Sequence, residues 1–103
     1  MSCSRNEVVL LPIPFTDLTS RKVRPAVVIG RSGADLFLVP ISSQLSNTDF
    51  ALKEWRAAGL NVPCGVKAQI ATVEERLVVK TVGVLTAGDR QTLNDRLRTW
   101  LQF

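Results

Sequence analysis

Phe15–Gly30, FTDLTSRKVRPAVVIG, changes character once and sharply. Phe15–Val23 is a polar loop carrying Asp17, Arg21 and Lys22. Arg24-Pro25-Ala26-Val27-Val28-Ile29 then begins with a cation and turns apolar and β-branched at once, which is the composition of a strand. An arginine at a strand's first position, beside a basic loop, belongs on the rim of a β-structure rather than in its core. Guanidinium is planar, permanently charged and bidentate toward phosphate oxygens, so that rim suits an anion. By pattern alone the stretch reads equally well as a solvated turn leading into a core strand.

The flanking segments supply partners for this strand. Val8–Leu11 is an apolar strand bounded by Pro12 and Pro14, which place its end at a sheet edge. Downstream, Gly30–Asp35 is turn chemistry and Leu36–Ile41 the return strand of a hairpin. Ser42–Asp49 is a polar loop leaving the rim, Phe50–Leu52 a brief strand, and Glu54–Gly59 one or two helical turns or a broad loop. Val66–Thr72 reads as a strand, Val73–Arg76 as a turn, and Val78–Leu85 as a last strand interrupted at Gly83. Thr86-Ala87-Gly88-Asp89 fits a capping box, in which Thr86 satisfies a free amide and Asp89 reaches back. Leu93, Leu97, Trp100 and Leu101 then form one apolar stripe, with Asp95, Arg96 and Arg98 on the solvated side. The expected fold is mainly β, a small antiparallel barrel or roll with a C-terminal helix. Residues 1–103 form one domain with a single core, since so short a chain is too small for two.

Composition narrows the chemistry. There is no histidine, so any catalysis rests on Arg, Lys, carboxylates and hydroxyls. Cys3 and Cys64 match no zinc or redox spacing and are expected as free thiols, and neither a metal nor a cofactor is expected. A net charge of +4 favours polyanionic partners if the cations share one face. No apolar run approaches the roughly 18–20 residues that span a bilayer, and MSCSRNE lacks a secretory signal, so the expected compartment is the cytoplasm.

The ordered motifs resemble those of the MazF/PemK family, the toxin halves of bacterial type II toxin–antitoxin systems. The likeness runs through Val8-Val9-Leu10, Pro14-Phe15-Thr16-Asp17, Lys22-Val23-Arg24-Pro25-Ala26-Val27-Val28 and Val39-Pro40-Ile41-Ser42-Ser43. It continues in Trp55-Arg56-Ala57-Ala58-Gly59-Leu60, Gln69-Ile70-Ala71-Thr72 and Gly83-Val84-Leu85. The resemblance implies an SH3-like β-barrel that forms a homodimer. It also implies a metal-independent endoribonuclease that cleaves single-stranded RNA, including mRNA, within short sequences by attack of a ribose 2′-hydroxyl on the adjacent phosphate. A cognate antitoxin with an acidic C-terminal segment would lie across the RNA groove.

Carried over residue by residue, Arg24 matches the family's Arg-Pro arginine and would stabilise the charge on the phosphate. Ser42 falls where many members have a threonine and would donate to a phosphate oxygen. Lys67 completes the catalytic set. Asp17, Arg21, Lys22, Ser43 and Gln69 are the expected RNA-binding residues, and base readout would depend on groove shape and on loops such as Ser42–Asp49. The chain departs from the Arg-x-Asp pair of some members, because Lys67-Ala68-Gln69 stands there and Gln cannot take a proton. A strand would still put Lys67 and Gln69 on one face. The base must then come from Asp17, from Glu7 or Glu74, or from Lys67 itself. The rival readings are a non-catalytic SH3-like module binding an acidic peptide or RNA, and a toxin acting on another target such as a topoisomerase.

Overall fold

The computed structural model describes residues 2–12 and 22–102, so the expectations for Asp17 and Arg21 lie outside the described residues. The Arg24 strand is β2 (Val23–Ser32), the longest of the sheet, and it turns through Gly33-Ala34 into β3 (Asp35–Ser42). The strand thus runs through Gly30–Ser32, which the sequence reads as part of the turn. Ile29 is the extra residue of a bulge, since Val28 pairs with Leu38 and Gly30 with Phe37. β1 (Glu7–Pro12) lies antiparallel on the other side of β2, with Leu11 opposite Arg24, and β7 (Lys80–Val84) pairs with β1.

The outer edge of β3 is divided between two short strands. β5 (Gly65–Val66) pairs with Ile41 and Ser42, and β6 (Ala71–Glu74) pairs with Asp35–Leu38. β4 (Phe50–Ala51) adds to β5. The strand expected over Val66–Thr72 is therefore two strands with an irregular Lys67–Ile70 between them. Both halves look apolar and β-branched in sequence, and only their pairing with two levels of β3 separates them.

Among the described residues, the path β4-β5-β3-β2-β1-β7 is not closed by hydrogen bonds. The Ala58–Gly59 turn instead lies against the backbone of β7. A Cβ on Gly59 (φ +90°) would stand 2.1 Å from the Val82 carbonyl oxygen, and one on Gly83 would stand 2.3 Å from that of Ala58. Gly83 is thus a point of close backbone approach inside β7, and the interruption expected there is a register shift, since Val8 pairs with Gly83 and Val9 with Thr81, leaving Val82 unpaired in the ladder.

β1, β2 and β3 are buried on both faces, so two buried clusters replace the single core expected. Val8, Val27, Val39 and Ile41 project to one side with Phe50, Cys64, Val66 and the helix residues Leu93 and Leu97. Val9, Leu11, Ala26, Val28, Leu36 and Leu38 project to the other with Cys3 and Val73. The alternation along each strand is that of a pleat sandwiched between two layers. Helix α1 (Ala87–Leu101) covers the first cluster with Asp89, Leu93 and Leu97, while Leu101 departs from the expected stripe and is 47% exposed. Cys3 and Cys64 are free thiols.

Candidate functional site

Arg24, Ser42 and Lys67 meet at one end of the sheet. The β2–β3 register pairs Ala26 with Pro40, and carried two residues further it sets Arg24 opposite Ser42. On the other edge of β3 the Lys67 amide donates to the Pro40 carbonyl at 3.0 Å, one strand over from the same pair. The three residues line one open cavity of about 630 Å³ that wraps over the ends of β2 and β3. Its far wall is the Gly59–Val62 segment, and its floor includes Leu10, Ile41, Cys64 and Val82. Burial pushes the Cys64 thiol above its ordinary value, and the thiol donates to the Val62 carbonyl at 3.2 Å, so it is a neutral packing group there.

The charge of this cavity is one-sided. Arg24 and Lys67 form no ion pair with any described residue. The Ser42 hydroxyl accepts from the Gln44 amide at 3.1 Å, which leaves its own proton available to an acceptor in the cavity. Ser43 also lines it, whereas Lys22, exposed just before β2, does not. Among the described lining residues there is no carboxylate.

Two of the carboxylates considered as bases stand elsewhere. Glu7 lies four residues along β1 from Leu11, about 13 Å from the Arg24 end at the rise of a strand, and its carboxylate accepts from the Ser4 amide. Glu74 pairs with Arg76 at 2.5 Å on the surface. Neither reaches the cavity, because each sits at the far end of its strand. Glu75 is held by Arg31 and the Cys3 amide, which bring its carboxyl down to about 2 and tie the N-terminal segment to the β2–β3 hairpin.

Gln69 is not where a strand would put it. Its amide donates to the Lys67 carbonyl at 2.8 Å, a three-residue turn that ends the β alternation after Val66. Gln69 and Lys67 instead share a second recess of about 390 Å³, beside the first and bounded on its other side by Ser46–Asp49. Lys67 and Asn47 line both. Asp49, which the sequence placed in the loop expected to bear on base readout without singling it out, is the only carboxylate among the described residues lining either space, and it pairs with Arg96 of α1 at 3.5 Å. It is also the only charged residue of the Ser42–Asp49 loop, a signal that was present in the sequence.

The cavity wall is positioned from below by a second missed residue. Asp89 is buried, and its two carboxylate oxygens accept from the amides of Lys53 and Glu54, each at 3.0 Å. Those amides begin the turn that continues through Gly59 to Leu60, whose own amide donates to the Trp55 carbonyl at 3.1 Å. Asp89 therefore does not reach back to cap its own helix, and Thr86 makes no side-chain cap bond. The expected capping box is replaced because the loop amides, brought in by packing, bind the same carboxylate. Among the described residues, no group of three or more His, Cys, Asp or Glu side chains could hold a metal ion, and no helix is long and apolar enough to cross a membrane.

A family model described as PemK-like, MazF-like toxin of type II toxin–antitoxin system matches residues 4–101. No curated protein sequence matches the chain significantly. Among solved structures, the Mycobacterium tuberculosis toxin MazF-mt6 superposes with a TM-score of 0.73 at 15% identity, covering 94% of this chain and 97% of its own. An endoribonuclease in complex with its cognate antitoxin, from a mycobacterial species, superposes with a TM-score of 0.70 at 19% identity, covering 96% and 92%. At these identities the likeness to the two structures is one of fold.

Proposed function

The chain belongs to the PemK-like, MazF-like toxins of type II toxin–antitoxin systems, and from that premise we propose that it is an endoribonuclease that cuts single-stranded RNA. One observation carries the reading: two cations without an ion pair among the described residues, Arg24 and Lys67, flank a hydroxyl donor, Ser42, in a single cavity with no described carboxylate to repel a phosphate. The solved endoribonuclease of the same fold supports it.

In the proposed reaction the ribose 2′-oxygen attacks the adjacent phosphorus and its proton passes to a base. The bond from phosphorus to the 5′-oxygen breaks, and that oxygen leaves with a proton, giving a 2′,3′-cyclic phosphate and a free 5′-hydroxyl. Arg24 binds the pentacoordinate phosphate, where charge builds up. Ser42 donates to a second phosphate oxygen, and Lys67 holds the backbone of the RNA. Electrostatic stabilisation of developing charge commonly lowers the barrier more than any other single effect in catalysis. Cleavage is metal-independent and sequence-specific in this reading. Asp17 and Arg21, outside the described residues, and Lys22 and Ser43 extend the RNA contact.

The partners proposed are mRNA, a cognate antitoxin whose acidic C-terminal segment fills the cationic cavity, and a second copy of the chain in a cytoplasmic homodimer. The absence of a carboxylate among the described lining residues favours a second reading, a non-catalytic module that binds RNA or an acidic peptide there. A single-stranded RNA cleavage assay with chelator present, using Arg24→Ala as the control, separates the two. Cleavage by the wild type and its loss in the variant are expected. Intact RNA at high wild-type concentration would leave only the binding module.

A further inference from the structure

The recess beside the cationic cavity has hydrogen-bonding chemistry of its own. The Asn47 Nδ2 group gives one of its two protons to the Gln44 Oε1 atom at 2.8 Å, so Asn47 keeps one donor beside its carbonyl oxygen. The Thr48 hydroxyl donates to the Leu45 carbonyl at 2.7 Å, which leaves only its lone pairs. Asp49 is acceptor-only, and Arg96 at 3.5 Å holds its carboxylate in place from α1. Thr48 and Asp49 therefore present a run of acceptors along this wall. Across from it, the Gln69 side chain has no hydrogen-bond partner among the described residues and brings a free amide, beside the Lys67 ammonium.

A row of acceptors needs a ligand edge with adjacent donors. Among the four RNA bases, only guanine has two neighbouring donors, N1–H and N2–H₂, on its Watson–Crick edge, next to the acceptor O6. Uracil flanks one donor with two carbonyls, and adenine and cytosine each set one amine beside an acceptor nitrogen. Single-stranded RNA is read at this edge once a base is unstacked. Lys67 and Asn47 line both spaces, so the recess adjoins the cavity in which Arg24 would hold a phosphate.

We propose that this recess is a guanine subsite flanking the scissile phosphate, with N1–H and N2–H₂ on the Asp49 carboxylate and O6 on the Gln69 amide. The proposal rests on the RNA-binding reading of the neighbouring cavity and adds to it the base that the recess selects.

Binding is measured by fluorescence anisotropy with short RNAs carrying a 2′-deoxy sugar at the cut, which cannot be cleaved, the base at each flanking position being varied in turn. Wild-type protein is expected to favour guanine at one flanking position by about 5- to 150-fold, the range of one good bidentate contact. Asp49→Asn replaces one acceptor by a donor and should abolish that preference, and Gln69→Met, which removes the O6 partner, should reduce it. Thermal melts of both variants report whether they fold. RNA binding without a guanine preference, or a preference intact in both folded variants, would overturn the subsite while leaving the neighbouring cavity's role standing. No RNA binding by wild type would overturn both, and cleavage of the matching all-ribose RNAs tells a binding module from an enzyme.

Discussion

Asp89 Oδ2 accepts the backbone amide of Glu54 at 3.0 Å, joining the first turn of the terminal helix to a segment 35 residues earlier in the chain. With the companion bond to Lys53, a single buried carboxylate fixes the start of the turn whose far end walls the cavity. Asp89→Ala leaves two amides without their acceptor. At about 1.5–3 kcal/mol for each hydrogen bond to a charged group, the expected loss is about 3 kcal/mol or more. Urea unfolding should show the midpoint falling by the corresponding amount, with Asp89→Asn intermediate.

Arg24→Ala should abolish most RNA cleavage with little change in stability. The side chain is exposed and unpaired among the described residues, so its removal should fall within about ±0.5 kcal/mol by thermal unfolding. Loss of one preorganised contact to a developing oxyanion should lower kcat by about 10²–10³-fold. Single-turnover cleavage of a fluorogenic RNA measures it.

Ser42 tests the same phosphate from across the hairpin. Its hydroxyl has one bond among the described residues, as acceptor from Gln44, and one proton to give. Ser42→Thr keeps that geometry and should retain activity. Ser42→Ala should raise the cleavage barrier by about 1.5–3 kcal/mol, the scale of a hydrogen bond to a charged group. A kcat close to wild type in the alanine variant would remove Ser42 from the mechanism.

The seam between β7 and the Ala58–Gly59 turn depends on backbone contact. Gly83→Ala would place a methyl 2.3 Å from the Ala58 carbonyl oxygen, and main chain on both sides has little room to give. The expected destabilisation exceeds about 2 kcal/mol. Hydrogen exchange should show earlier opening of the cavity wall in the variant than in wild type.

Glu75 ties stability to acid. The hydrogen bond from Arg31, followed by that from the Cys3 amide, lowers its carboxyl from 4.5 to about 2 in the folded protein. The unfolded chain therefore takes up the proton first as pH falls. The stabilisation is fully present above about pH 4.5 and is lost as pH approaches 2. Glu75→Gln should be less stable than wild type near neutrality, and the gap measured by urea unfolding should close over that window.

The strands β1, β2 and β3, the hairpin around Gly33, the terminal helix and the rim position of Arg24 were legible from residues alone. Each depends on neighbours in sequence: β-branched runs, turn residues and a helical stripe at Leu93 and Leu97. The resemblance of the ordered motifs added Ser42 and Lys67, and both line the Arg24 cavity. Reading Lys67-Ala68-Gln69 as a strand failed because one edge of β3 takes two partners, and the chain must turn at Lys67–Gln69 to pass from one to the other.

What sequence determined here is the local periodicity and the chemistry available, a basic chain without histidine and with an arginine near the start of its central strand. What tertiary structure decided is which distant groups share a space. Asp89 reads as a helix cap until the Lys53 and Glu54 amides arrive to claim it, and Asp49 reads as the end of a polar loop until Lys67 and Gln69 close a recess around it. A carboxylate takes whichever donors packing brings within about 3 Å, and that distance is set by the whole fold rather than by spacing along the chain.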